Sequence, residues 1–551
     1  MTNLSTKTAQ TALVTAVALS TVLIFCGALG STGIIDPSDG FYAEAGREML
    51  ESGNFLTPYL NYEPYFDKPI LIYWLTAASM KLFGVTTFAS RFPSAISAVL
   101  LAVILFQFCL RHLSIRAALI VTMILLSCPL FIILGRVSLI DMPLTLLVMV
   151  AMLSFFEALE TPSRRNLATG YGAVALGILL KGPIAAVLVG LPLIIYLFVL
   201  QSHWKAVFQS IVKLKPHFGL LLILLVAAPW YVIEGIATKG EFLRYFFLEQ
   251  NLARAAGMLK LSHAQPLWFF LPILAGGILP WFSFLPIYAT RTFARFRKRR
   301  GFQTHRSKLK LFALIWSGSI FVLFSAISSK LPTYILPMIP AVALTFGIQM
   351  EEELRAGKTT NLIWCGIATS VISVALLLVY NNMFAIDSAW VYLVISGVIV
   401  VFLIGLFWWR TSSKNVGLST GLYQFGLFAC FFYATLVPSL VQEFYNKHQS
   451  DYNYLLSKAQ ERSFNLAEVQ YMHPSASFCM KRKVPVLVNY YDFAAFLALP
   501  PDHHAILLSE QYLPLMKDLP FCREIGHRGK QYLFLAEDKN KVMLQNFYNA
   551  K

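Results

Sequence analysis

The chain has 551 residues, of which 57% are hydrophobic and 13% charged, with a mean hydropathy of +0.63. Soluble domains carry about 25% charged residues, so a soluble globular enzyme, a disordered chain and a collagen-like repeat are excluded. The net charge of +17 points not to nucleic acid but to the basic cytoplasmic loops that membrane topology requires, with attraction for anionic membrane lipids adding to it.

Apolar stretches of about 20 residues, the length of a bilayer helix, recur along the sequence. The alternating strands of an outer-membrane barrel do not. The first stretch, about 12 to 32, follows Lys7 and has no small-residue cleavage site, so it is expected to be a retained helix. A polar external loop over 33–87 follows. Further spans centre near residues 98, 124, 148, 174, 192, 226, 277, 319, 341, 371, 398 and 427. They are broken by a second external loop over 235–266. This predicts an α-helical polytopic membrane protein with about 13 transmembrane helices over residues 1–439.

Charge fixes the expected orientation. With the N-terminus in the cytoplasm, Arg111 and Arg116, Arg164 and Arg165, Lys205, Lys213 and Lys215 all fall inside. So do the nine Lys or Arg between Arg291 and Lys310, then Arg355, Lys358, Arg410 and Lys414. Residues 440–551 are then external and form a small periplasmic α/β domain. Within it VPVLVNYY and HAILLSE read as strands and QYLPLMKDL as a helix. Cys26, Cys109, Cys128, Cys365 and Cys430 lie in apolar segments, whereas Cys479 and Cys522 are the pair available for one disulfide in an exported domain.

Candidate chemistry begins in the first external loop. Asp36-Pro37-Ser38-Asp39 places two carboxylates where the chain leaves the first helix. Asp39 is expected to cap a helix over about 40 to 52, and that structural reading competes with a catalytic one. The loop ends in Phe66-Asp67-Lys68-Pro69. Neighbours on an extended segment face opposite sides, so Asp67 and Lys68 need not pair with each other.

Arg136, Lys181, Arg254 and Lys330 fall at expected external helix ends, against the inside bias. Singly each reads as a snorkelling cation. As a set they suit a lipid-linked phosphate, with Asp141 a partner for one of them. Among the external aromatics, most of them an interfacial belt, Tyr42 and Tyr334 are cavity candidates, Tyr334 because it shares a motif with Lys330. His263 with Asp67 is a weak metal pair, and metal dependence stays open. No phosphate-binding GxxxxGK[ST], zinc-binding HExxH or nucleophile-elbow GxSxG occurs.

The run DPSDGFYAEAGREMLESGNFLTPYLNYEPYFDKPILIYWL resembles the first external loop of GT-C membrane glycosyltransferases. More narrowly it resembles the bacterial group that includes protein O-mannosyltransferase-like enzymes and the transferases of 4-amino-4-deoxy-L-arabinose to lipid A. LLKGP, PWY, EQNLAR and above all KLPTYILP are similar to later blocks of that group. The resemblance implies a polyprenyl phosphate-linked sugar donor, lipid A as acceptor, no required cofactor, and an inverting transfer at the periplasmic face of the inner membrane. It puts the catalytic carboxylates on Asp39 or Asp36 and on Asp67, the phosphate-contacting cations on Lys68, Lys181 and Arg254, and a cavity tyrosine on Tyr334. Phe41 stands where many relatives have arginine, and Asp67 where aminoarabinose enzymes usually have glutamate. A protein or other glycan acceptor is the alternative reading. A lipid-linked sugar transporter is a third, disfavoured by the long acidic loop and the lack of an inverted repeat.

Overall fold

A computed structural model of the chain describes residues 2–201, 203–253, 265–279, 281–285, 288 and 304–356. Towards the C-terminus it describes 450–462, 464–469, 472–488, 492, 496, 504–512, 522–528 and 530–536. The expected spans near 371, 398 and 427 lie outside the described residues. The chain forms two compact units, each discontinuous in sequence. One comprises Met1–Gly27, Phe66–Ile72 and Pro93–Pro438; the other comprises Ala28–Tyr65, Tyr73–Phe92 and Ser439–Lys551.

The first unit is helical. Its elements include α1 (Thr2–Cys26) and, counting α2 (Ser38–Ser52) and α3 (Leu71–Phe83) as they come in the chain, α4 (Thr87–His112), α5 (Ile115–Leu126) and α6 (Pro129–Leu134). There follow α7 (Asp141–Glu160), α8 (Arg164–Lys181), α9 (Ile184–Leu200), α10 (Trp204–Lys213), α11 (Pro216–Val226) and α12 (Ala228–Ala237). Two later helices span His305–Ala326 and Ile339–Arg355. Five described stretches are long and apolar enough to cross a membrane: Thr87–His112, Asp141–Glu160, Pro216–Ala237, His305–Ala326 and Pro332–Arg355. Phe106, Phe131, Phe156, Tyr196 and Trp316 are fully buried among them. The Trp281 indole donates to the Ser127 hydroxyl at 2.7 Å, so that buried donor is satisfied. On α10, Trp204, Phe208 and Val212 recur every fourth residue and stay exposed, while Val207 is buried. An apolar stripe beside Lys205 and Lys213 is the pattern of a helix lying in a membrane interface.

One end of this bundle is held by charge. His112 lies 2.8 Å from Glu157 and 3.2 Å from His305. Lys308 pairs with Glu160 at 3.2 Å, Lys310 with Glu352 at 3.1 Å, and Arg306 with Glu351. These residues sit at the last turns of α4, α7 and Ile339–Arg355 and at the first turns of His305–Ala326.

The second unit joins an α2-based segment to a small sheet. Tyr59–Leu60 (β1) and Glu63–Pro64 (β2) form a two-residue hairpin. Its turn residues Asn61 and Tyr62 have φ of 53° and 62°, the left-handed values such a turn demands. The Asn61 amide donates to Val484 O at 2.9 Å, and its oxygen accepts from Val484 N and Ser477 Oγ, each at 2.8 Å. Strands β3 (Asn465–Val469), β4 (Val486–Leu487), β5 (His504–Ser509), β6 (Cys522–Arg528) and β7 (Gln531–Ala536) order as β4-β3-β5-β7-β6. β3 is parallel to β4 and β5, and β7 is antiparallel to β5 and β6. The α/β expectation for this part therefore fits, and both proposed strand segments contain strands. Gln511 and Tyr512 of the expected helix lie in a 3-10 turn; the rest of that segment is outside the described residues.

Alternation along the strands fills both faces of the sheet. Ala467, Val469, Ile506 and Leu508 pack on one side with Cys522; Leu466, Ala505 and Leu507 pack on the other with Cys479. Both thiols are free. The open question of a Cys479–Cys522 disulfide is thus answered: the two pack on opposite faces of the sheet and are not bridged.

Candidate active site

Lys181 is the last residue of α8. Gly182 follows with φ of 90°, and a Cβ there would stand 2.6 Å from the Phe246 ring. Only glycine allows both the turn and that approach. The lysine is thereby fixed at a helix C-terminus, where a cation is favoured. Asp141 opens α7, where a carboxylate is favoured. The two side chains, 40 residues apart in sequence, meet at 2.5 Å (Nζ–Oδ1) and are largely buried. The Lys181 ammonium also lies 4.9 Å from the centre of the Tyr334 ring, within cation–π range. Tyr334 sits in the 3-10 segment Pro332–Met338, against Phe324.

Aromatic residues wall this group. The Tyr231 hydroxyl donates to Ile178 O at 2.9 Å, one turn before Lys181. Trp230 and Tyr231 pack on Phe242, which stacks on Phe246 at 5.5 Å. Phe66 packs edge-on against Phe242 at 5.9 Å. The structure therefore gathers the LLKGP, PWY and KLPTYILP segments and the residue preceding Asp67 around one buried ion pair.

Asp67 and Lys68 do pair with each other, which the sequence had left open. Nζ lies 2.7 Å from the Asp67 carboxylate and 3.0 Å from its carbonyl. The backbone bends there rather than running straight, so the long lysine folds back. Arg136 donates to carbonyls at the end of α1 and just past it: Ile24 O at 2.5 Å and Gly27 O at 2.7 Å. Lys330 donates to Gln265 O at 2.8 Å. Arg254 and His263 lie outside the described residues. Among the described residues no group of three or more His, Cys, Asp or Glu is placed to hold a metal ion.

The first-loop acids belong to the second unit. Asp39 lies in the first turn of α2 and makes no side-chain cap. Its carboxylate, fully buried, pairs with Arg91 at 2.6 Å and accepts from Ile35 N. Arg91 in turn donates to Leu29 O, Thr32 O and Gly33 O. The capping expectation fails because the helix already begins at Ser38, which puts Asp39 inside its first turn rather than at the cap. Arg91 was not singled out from the sequence. The signal was present: a lone arginine opening an apolar span on the expected external side.

Asp36 accepts from the backbone amide of Ser475, at 3.1 Å, and from its hydroxyl. It so satisfies the N-terminus of the helix Pro474–Met480 from 439 residues away. Burial pushes the Asp36 carboxyl up to about 6, against the hydrogen bonds from Ser475. Tyr42 is buried with its ring against Tyr73. On the same helix Arg47 bridges Glu44 and Glu51, and burial with the neighbouring Glu44 raises the Glu48 carboxyl to about 8.

Residues 67–233 match the family model of dolichyl-phosphate-mannose-protein mannosyltransferases. The undecaprenyl phosphate-alpha-4-amino-4-deoxy-L-arabinose arabinosyl transferase of Shewanella sediminis is 32% identical over 65% of this chain; the alignment spans 64% of that protein's own length. The protein of the same name from Enterobacter sp. is 26% identical over 96% of this chain and 99% of its own. The crystal structure of ArnT from Cupriavidus metallidurans bound to undecaprenyl phosphate superposes with a TM-score of 0.77 at 22% identity, covering 96% of this chain and 98% of that one. The fold of the two chains is the same.

Proposed function

Because the chain belongs to the GT-C class of membrane glycosyltransferases, multi-pass proteins of the inner membrane, we propose that it is an inverting transferase. In this reading it moves aminoarabinose or a related amino sugar from polyprenyl phosphate to lipid A. The observation that supports this most is the Asp141–Lys181–Tyr334 group. It offers a desolvated cation, pre-oriented by a carboxylate and a ring, to an anionic leaving group.

The chemistry follows from that charge. The bond from the anomeric carbon to the phosphate oxygen breaks, and its electron pair stays on the departing polyprenyl phosphate. An oxygen of the acceptor forms the new bond from the opposite face. Lys181 has three N–H donors, of which Asp141 takes one; the others stabilise the growing phosphate charge. Lys68, Arg136, Arg254 and Lys330 are assigned supporting contacts to the phosphate. Asp67 is assigned the positioning of the acceptor. A lipid A phosphate is already anionic, so no strong base is needed; a hydroxyl acceptor would need one.

We place the N-terminus in the cytoplasm, residues 1–439 in the transmembrane domain, and residues 440–551 in the periplasm as a soluble domain. The geometry of α7 supports the placing of the site. Asp141 is its first residue, and Glu157 and Glu160, which hold the basic end of the bundle, are in its last turn. Twenty residues of helix span about 30 Å, so the ion pair lies a membrane's thickness from the basic end. Mass spectrometry of lipid A from cells with and without the gene tests the function. An aminopentose-bearing species is expected only with the gene. An unchanged lipid A profile beside altered glycoproteins would transfer the proposal to the protein-acceptor reading.

A further inference from the structure

The periplasmic sheet has a cavity that the transferase reaction does not use. Its volume is about 310 Å³, and Tyr452, Glu468, His473, Ser509, Gln511 and Gln531 contribute to its lining. Topology explains its position. From β3 the chain goes to β4 on one side and then returns to β5 on the other, with all three strands parallel. A crevice opens beyond the carboxyl ends of two strands whose connections diverge, the place where open α/β sheets hold ligands. Val469 ends β3, Ser509 ends β5, and both line the cavity.

Its floor is pre-organised. Glu468, buried in β3, accepts from the Tyr452 hydroxyl, from His473 Nδ1 at 2.8 Å and from His473 N at 2.8 Å. The Tyr452 and His473 rings lie 4.4 Å apart. The imidazole is held through its Nδ1. Ring faces, two carboxamides and a hydroxyl around a fixed imidazole suit a ligand dense in hydroxyls. Among the described residues no Lys or Arg lines the cavity, which disfavours phosphate and carboxylate. The volume is at the low end for ligand sites, which disfavours a whole glycolipid.

We propose that this cavity binds a single neutral or amino-bearing monosaccharide unit, separately from the membrane-embedded transfer site. Equilibrium dialysis of the full chain in detergent against radiolabelled glucosamine tests it. One sugar per chain is expected for the parent protein and for Lys181→Ala, and at least tenfold weaker retention for the double variant Gln511→Ala/Gln531→Ala. Gln511 is exposed, so Gln511→Ala alone serves if the double variant does not fold. Retention lost in Lys181→Ala, or unchanged in the glutamine variants, overturns the assignment, as does no retention by the parent. Displacement by an equal concentration of inorganic phosphate overturns the ligand class. Lipid A modification, followed in parallel, reports on the transferase reading independently.

Discussion

Lys181 is the residue whose environment makes the most specific claim. Its charge is largely withdrawn from water, and among the described residues Asp141 and the Tyr334 face compensate it. Lys181→Ala is expected to lower transfer by about 10²- to 10³-fold, the usual loss when a transition-state donor is removed, with the protein still inserted. An in vitro assay on donor-loaded membranes measures it, and activity within threefold of the parent would refute the role. Asp36 makes a second claim, about pH. Its folded carboxyl titrates near 6 against an ordinary value of 3.8. Between those values the folded chain holds a proton that the unfolded chain has lost, so stability falls as pH rises through about 6. The span corresponds to roughly 3 kcal/mol. Asp36→Asn is expected to flatten the dependence of the unfolding temperature between pH 4.5 and 7.5.

At the scale of elements, the active group depends on how helices end. α8 stops at Lys181 because Gly182 turns the chain and Phe246 occupies the space a side chain would need. Gly182→Ala is expected to cost more than 1 kcal/mol through the positive φ alone and to abolish transfer by displacing Lys181. An unaltered melting temperature with full activity would show that the turn tolerates a Cβ. Motif spacing made Lys181, Asp141 and Tyr334 legible as separate candidates. It did not make their meeting legible, because α7 and α8 set the register of residues 40 apart. The Asp67–Lys68 pair and the state of the two cysteines were left open, and the Arg91 clamp on Asp39 was missed, for one reason. Each depends on a backbone bend or a layer of packing that no local pattern encodes. The apolar spans were legible because hydropathy acts over whole helices.

For the whole molecule, hydropathy carried the helical membrane class, but neither it nor the resemblance showed which segments would make common units. Orientation is the claim at this scale that is open to direct measurement. Lys530 is 84% exposed beside β7. Lys530→Cys is expected to react with a membrane-impermeant maleimide in intact spheroplasts. Protection until the membrane is broken would place the C-terminal domain in the cytoplasm and reverse the topology.

The hydrogen bonds from Asn61 to Val484 join residues 423 positions apart, and this has a consequence for biosynthesis. A ribosome adding about 5–20 residues per second needs roughly 20–80 s to travel from one to the other. Throughout that interval the nascent hairpin has no permanent acceptor for its amide. Premature termination anywhere in the membrane region leaves it so for good. A segment made late in synthesis therefore completes the first loop, and copies that stop before it should be conspicuous to proteases.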